Sequence, residues 1–329
     1  MRVGILGGTG FVGGYLVDAL FAHGHQPVVL VRPGSEERVS WHERCTLIAG
    51  EVADDGAVRA LVQGSDALIY NIGILRELPG RGITFEALHW RGAKRAMDLA
   101  VDAGGRRFLL MSANGVRADG TTYQRTKYQA EEYLRTTGLP FTIYRPSVIF
   151  GPPRGRMEIA TQLYRDIIRP PLPAPLFYRG LLPSDAGAFR LAPIHVEEVA
   201  GAFAQGLEDP DTIGKTLLLC GPEDLTWREM LRRIAAASGQ PRKLMLPVPA
   251  APLGLAARLL ERFPAFPITA DQLQMLLCCG CCRQGWPSTP CWRRRSSSCT
   301  WRQITSSRPS GCGPTAPLWA VKWACGCRR

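Results

Sequence analysis

The last part of this 329-residue chain has no acidic residues: nothing after Asp271 is Asp or Glu. The rest of the chain has almost no cysteine, because nine of the 11 cysteines lie between Cys278 and Cys327, leaving only Cys45 and Cys220. The two shortages explain two misleading totals. The net charge of +12 falls to +3 without the segment 278–329, with 31 basic against 28 acidic residues. A near-neutral body with two cysteines excludes a disulfide framework and gives no basic footprint for nucleic acid. No run of about 18 apolar residues occurs, so no spanning helix is expected. The chain runs from Met1 straight into a glycine motif, leaving no room for a signal peptide, and a cytoplasmic location is expected.

What the segment 278–329 does contain is Cys, Trp, Arg, Ser, Pro and Thr without apolar periodicity, including five of the eight tryptophans. Cys278, Cys279, Cys281 and Cys282 form two overlapping C-x-x-C pairs, which reads as a metal site. A disordered basic tail is a second reading. The composition best fits a GC-rich gene translated out of frame, so this segment is expected to be unstructured.

The first 150 residues alternate strand and helix signals. Strands are expected at Arg2–Leu6, Gln26–Val31, 45–49, 65–72, 107–112 and 141–144, and helices at 11–23, 54–62, 85–103 and 122–137. Repeated βα units of this length, with right-handed crossovers, predict an α/β fold of Rossmann type: a doubly wound parallel sheet over residues 1–150. The stretch 169–175 is proline-rich and reads as an irregular connection. Beyond it, strands near 191–195, at Lys215–Leu219 and at 243–248 are expected, with helices at 196–207 and at 227–238, the latter capped by Thr226. Together they predict a small C-terminal α/β lobe over 151–277, interleaved with the first domain and covering the sheet's carboxyl edge.

Gly7-Gly8-Thr9-Gly10-Phe11-Val12-Gly13 follows the first strand and opens the first helix. Gly7 permits the tight turn, Gly10 lets backbone approach a pyrophosphate, and Gly13 allows close helix–sheet packing. The helix N-terminus adds free N–H groups and partial positive charge. A dinucleotide is therefore the expected ligand, with Thr9, Phe11 and Val12 in the same cradle. The second strand ends in Arg32 rather than an acid, which suits a 2′-phosphate and favours NADP(H) over NAD(H). Glu51 and Val52 are expected along the adenine edge. Asn71 and Gly73 are expected on the cofactor's far side, with Pro146 at the end of the sixth strand.

Tyr123 and Lys127 are four apart on one helix face, so both can reach one ligand. An ammonium beside a phenol favours the phenolate, and such a tyrosine serves as acid or base towards a carbonyl or hydroxyl. With the glycine loop, the Ser112 strand end and Arg145-Pro146-Ser147-Val148-Ile149-Phe150-Gly151-Pro152, this pair resembles the extended or atypical short-chain dehydrogenase/reductase superfamily, of the NAD-dependent epimerase/dehydratase kind. The segment 193–200, with Glu198 where the family carries Asp, extends the resemblance to about residue 275. Lys127-Tyr128-Gln129-Ala130-Glu131-Glu132 and the 141–146 strand are similar to the branch of the NADPH-binding accessory subunit of respiratory complex I and its bacterial relatives. The resemblance implies a Rossmann fold, a bound nicotinamide dinucleotide, and Tyr123, Lys127 and Ser112 as candidate catalytic residues.

One departure bears on activity. Active relatives carry Ser or Thr a residue or two beyond this strand end, where Ala113 and Asn114 stand here. Two functions therefore stay open. One is a nucleotide-binding protein with weak or no turnover, in redox sensing or an assembly. The other is an oxidoreductase, epimerase or dehydratase using Tyr123 and Lys127 on a nucleotide sugar or other carbonyl or hydroxyl substrate. The partner is either that small molecule or a protein assembly, with no nucleic acid and no integral membrane segment expected. His195 is expected to cap or support a helix. His23, His25, His42 and His89 form no readable triad or metal set.

Overall fold

The computed structural model describes residues 1–180, 182–252, 271 and 274; the predicted tail 278–329 lies outside them. Six strands alternate with helices from the N-terminus: β1 (Arg2–Leu6), α1 (Phe11–Ala22), β2 (Gln26–Val31), β3 (Thr46–Ala49), α2 (Asp55–Gln63), β4 (Ala67–Tyr70), α3 (Gly92–Asp102), β5 (Arg107–Met111), α4 (Thr122–Thr136) and β6 (Phe141–Pro146). The short β7 (Ile149–Phe150), α5 (Ile159–Leu163), β8 (Ala174–Tyr178), β9 (Arg190–Leu191) and β10 (Ile194–His195) follow. The described chain continues with α6 (Val196–Glu208), β11 (Lys215–Leu219), β12 (Leu225–Thr226), α7 (Trp227–Ala237) and β13 (Met245–Pro249).

The main sheet has seven strands in the order β11-β6-β5-β4-β1-β2-β3, and every neighbouring pair is parallel. Its central strands read as continuous apolar runs because both faces are covered: Val3, Ile5 and Leu6 of β1 are fully buried. On one face α1 and α6 pack against the sheet through Leu16, Leu20 and Phe203. On the other, α2, α3 and α4 pack against the sheet through Leu61, Met97 and Leu134. The order reverses beside β1, between β4 and β2, and ligands bind at such a switch point.

Three differences from the sequence reading have physical causes. First, β11 does not belong to a separate lobe: it extends the main sheet beside β6. The lobe proper is α5, α7, β8 and β13, around Trp227, Phe177 and Leu176. Second, the proline-rich stretch is not merely a connection. Its end enters β8, which pairs in parallel with β13, an edge position where a missing N–H is tolerated. Third, the helix predicted over 85–103 begins with a wide π-type turn at Glu86–Arg91 before α3 takes over. Apart from these, the predicted 191–195 strand is divided into two short strands, β9 and β10, paired with β12 and β7 respectively.

Candidate functional site

The glycine loop is shaped by contacts only glycine allows. Gly7 has φ of +97°, and a Cβ there would lie 2.9 Å from the Asn71 backbone. A Cβ on Gly13 would lie 2.3 Å from the Gly7 carbonyl oxygen, so α1 runs directly against the loop. At Gly10 the nearest atom to such a Cβ is 3.5 Å away, leaving open space over the loop. No side chain caps α1 at Gly10, so its first-turn N–H groups are available to an anion. Asn71 Nδ2 donates to the Gly7 carbonyl at 3.2 Å and ties the end of β4 to the loop.

A cavity of about 1140 Å³ opens at this edge of the sheet. Its wall includes Gly7, Thr9, Gly10, Phe11, Val12, Arg32, Glu51, Val52, Asn71, Gly73, Ser112, Tyr123, Lys127 and Pro146. Of the sequence-predicted site residues only Gly13 is not in the wall; it sits behind it as packing. Arg32 and Arg38 both line the cavity and are exposed. Arg156, at the end of a loop expected to line the pocket, donates from Nε to the Thr9 carbonyl at 3.1 Å and from Nη2 to the Arg38 carbonyl at 2.8 Å. It thereby joins the glycine loop to the loop after β2. Nothing in local pattern could have found this brace, because its partners lie over a hundred residues upstream.

Helix α4 carries the Tyr–Lys pair and is fixed at its start by a capping box. Gln124 N donates to Thr121 Oγ1 at 3.3 Å, and Thr121 N donates to Gln124 Oε1 at 2.9 Å. Gln124 Nε2 also donates to the Gly115 carbonyl at 2.7 Å, anchoring the helix to the loop after β5. Lys127 is buried, and its Nζ donates to the Met111 carbonyl at 2.9 Å. Burial lowers its pKa to about 8, partly opposed by the Glu131 carboxylate. The ammonium lies 5.9 Å from the Tyr123 ring.

Ser112 does line the cavity, but its hydroxyl donates to Glu131 Oε1. Glu131 is fully buried and accepts from Arg145 Nε at 2.8 Å and Nη2 at 2.6 Å, and from Arg135 Nη2 at 3.2 Å. This charge-assisted cluster locks β5, α4 and β6 together beneath the site.

His89 is the other residue the sequence did not single out. The wide turn at Glu86–Arg91 aims it inward, where its Nε2 accepts from Ile74 N at 3.1 Å and its Nδ1 lies 3.4 Å from Thr126 Oγ1. Its ring and that of Phe85 meet the Tyr123 ring edge to face at 5.1 and 5.6 Å. Burial, reinforced by the Lys127 charge, holds its pKa well below that of a free imidazole. A neutral His89 with both nitrogens engaged positions Tyr123. The only sequence signal was a histidine on a helix face. His195 is the N-cap of α6, with Nδ1 accepting from Glu197 N at 3.4 Å.

A family described as NAD(P)H-binding matches residues 7–165. The chain is 30% identical over 250 residues to the ceramide reductase of Caulobacter vibrioides, an alignment covering 75% of this chain and 74% of that one. It is 28% identical over 283 residues to NADH dehydrogenase (ubiquinone) 1 alpha subcomplex subunit 9, mitochondrial, of Arabidopsis thaliana, covering 82% of this chain but 66% of the plant subunit. In fold it is similar to the UDP-glucose 4-epimerase of Thermus thermophilus complexed with NAD. That match has a TM-score of 0.59 and 20% identity, covering 85% of this chain and 99% of that one. No helix among the described residues is long and apolar enough to cross a membrane.

Proposed function

The chain belongs to the NAD(P)H-binding short-chain dehydrogenase/reductase superfamily, in its extended form, and from that premise we propose that it is an NADP(H)-preferring oxidoreductase acting at a carbonyl or hydroxyl carbon. One observation carries the reading: Tyr123 and a buried Lys127 line the same cavity as the glycine loop. The residues fit a nicotinamide dinucleotide. Gly7 and Gly13 leave no room for a Cβ, while Gly10 and the uncapped start of α1 offer an open cradle for a pyrophosphate. Arg32 and Arg38 supply guanidinium groups for a 2′-phosphate at the end where an NAD site would place an acid.

When bound, the reduced nicotinamide supplies the hydride. In the reducing direction Tyr123 gives its phenolic proton to the substrate oxygen, and in the oxidising direction it takes that proton. The Lys127 ammonium stabilises the phenolate that remains, and Met111 fixes where the ammonium sits. His89 and Phe85 hold the Tyr123 ring in register. Similarity to a ceramide reductase supports the reductase direction.

A second reading is binding without turnover, in redox sensing or in an assembly, as similarity to a complex I accessory subunit suggests. The occupation of the Ser112 hydroxyl by Glu131, with Ala113 next to it, favours this reading. Titration with NADPH and NADH by nucleotide fluorescence, followed by a carbonyl substrate panel with a Tyr123→Phe control, separates the two. Tight NADPH binding with Tyr123-dependent turnover supports the oxidoreductase. Tight binding with no turnover on any carbonyl supports the second reading.

A further inference from the structure

The end of the cavity formed by the lobe is mostly hydrocarbon. Leu163, Ile167, Leu172, Phe177, Leu191 and Trp227 line it. Two carboxylates come with them, and both are already engaged. Glu158 caps α5, accepting from Ala160 N at 2.8 Å and Thr161 N at 2.5 Å. Asp166 accepts from Arg165 Nε at 2.7 Å. No Lys or Arg of the described lobe lines the cavity. Among the described residues of the remaining wall, Arg81 is the single cation besides Arg32, Arg38 and Lys127, and it is exposed.

A sugar nucleotide brings a diphosphate, which is recognised through several cations or N–H donors. Here it would meet mostly apolar walls, one amide side chain at Gln162 and two carboxylates. The opening carries the same character. Leu75, Met157 and Leu172 line the cavity yet are 49%, 50% and 71% exposed. Large apolar side chains gathered at a cavity mouth mark a place where apolar ligand surface is covered.

We propose that the lobe end holds one long aliphatic chain, so that the substrate is a long-chain carbonyl or hydroxyl compound and not a nucleotide sugar. The chain lies along Leu163, Phe177 and Trp227 and leaves past Leu172, with its oxygenated carbon at Tyr123. The inference rests on the oxidoreductase reading for the reacting end, but the chain site can be read by binding alone.

The test is isothermal titration of the full chain, with and without NADP⁺, against methyl ketones carrying hexyl, octyl and decyl chains, with UDP-glucose as the contrasting ligand. Affinity should rise about fourfold per added methylene, the factor expected for burying each one, and UDP-glucose should not bind once saturating NADP⁺ occupies the glycine-loop cradle. Leu172→Glu and Met157→Glu change exposed side chains; each should weaken the decyl ketone at least tenfold while NADPH affinity stays within twofold. Affinity that is flat from hexyl to decyl while NADPH still binds overturns the chain site and leaves the oxidoreductase reading standing. With NADP⁺ saturating, UDP-glucose binding tighter than the decyl ketone also overturns the chain site. A chain-length slope in a protein that binds no dinucleotide upholds the chain site and sinks the oxidoreductase reading.

Discussion

The two ends of the cavity are built from different materials. At the dinucleotide end the shape is backbone: Gly7 at positive φ, Gly13 pressed on the Gly7 carbonyl, and an uncapped helix start. At the lobe end the shape is side chain: Leu163, Phe177 and Trp227, brought from three separate elements. A backbone-built site needs particular residues at fixed spacing, so it is written in a short motif. A side-chain-built site needs only apolar volume, which many residue types at scattered positions supply. The first end therefore discriminates by residue identity and the second by size and polarity.

The largest effect that would sharpen this contrast is at the joint between the two ends. Tyr123→Phe should lower kcat by about 10²–10⁴-fold while NADPH affinity changes less than twofold, as read by steady-state kinetics beside nucleotide fluorescence. Equal losses in both would place Tyr123 in the cradle rather than at the chemistry.

Arg145→Met strikes the support under both ends. It leaves the fully buried Glu131 carboxylate without its two-bond partner. A cost of about 3–5 kcal/mol is expected, read as a lowered urea midpoint. A loss under about 1 kcal/mol would show the pair to be no more than a surface-like contact.

Next comes the backbone end by itself. Gly13→Ala should cost about 1–3 kcal/mol in stability, since its Cβ would meet the Gly7 carbonyl at 2.3 Å. Gly10→Ala, with 3.5 Å available, should spare the fold and weaken NADPH instead. If the two variants behave alike in both melting and binding, the division between packing glycine and cradle glycine is wrong.

Arg32→Ala should weaken NADPH about tenfold, the worth of a single exposed phosphate contact of about 1.4 kcal/mol, and leave NADH unchanged. A parallel loss for both nucleotides would make Arg32 a general contact with no bearing on the 2′-phosphate.

The smallest effect is in pH. Lys127 titrates near 8 in the fold against 10.5 when free. Above about 8 it loses the charge that stabilises the Tyr123 phenolate, so kcat should be halved near pH 8 and fall beyond it. Lys127→Arg should shift that limb upward. Stability moves the other way. Between about 8 and 10.5 the unfolded chain holds a proton the folded chain has released, so the fold gains stability as pH rises through that window. Urea midpoints that fall across it would contradict a depressed Lys127.

Periodicity and spacing made most of the first domain legible. Strands such as Arg2–Leu6 and Gln26–Val31 lie where the sequence put them, and so, beyond that domain, do Lys215–Leu219 and the Thr226 cap of α7. The motifs at Gly7–Gly13 and Tyr123/Lys127 converge because βα repetition brings every strand's carboxyl end to one edge. Local pattern failed where long-range pairing decided. β11 joins β6 in the main sheet, although it follows the lobe's first strands in the chain. The wide turn at Glu86–Arg91 looks like ordinary helix until the Ile74 N–H claims His89. Ser112 lines the cavity as the sequence suggests, but that its hydroxyl is engaged by Glu131 comes only from the fold.

The sequence by itself determined that this chain is a dinucleotide-binding α/β protein, because βα periodicity and a glycine loop are local properties of consecutive residues. Only the tertiary structure decided that Arg156 braces that loop, that His89 backs Tyr123, and that the cavity continues into hydrocarbon. Each of those depends on residues that meet across tens to hundreds of positions, and no periodicity along the chain encodes such a meeting.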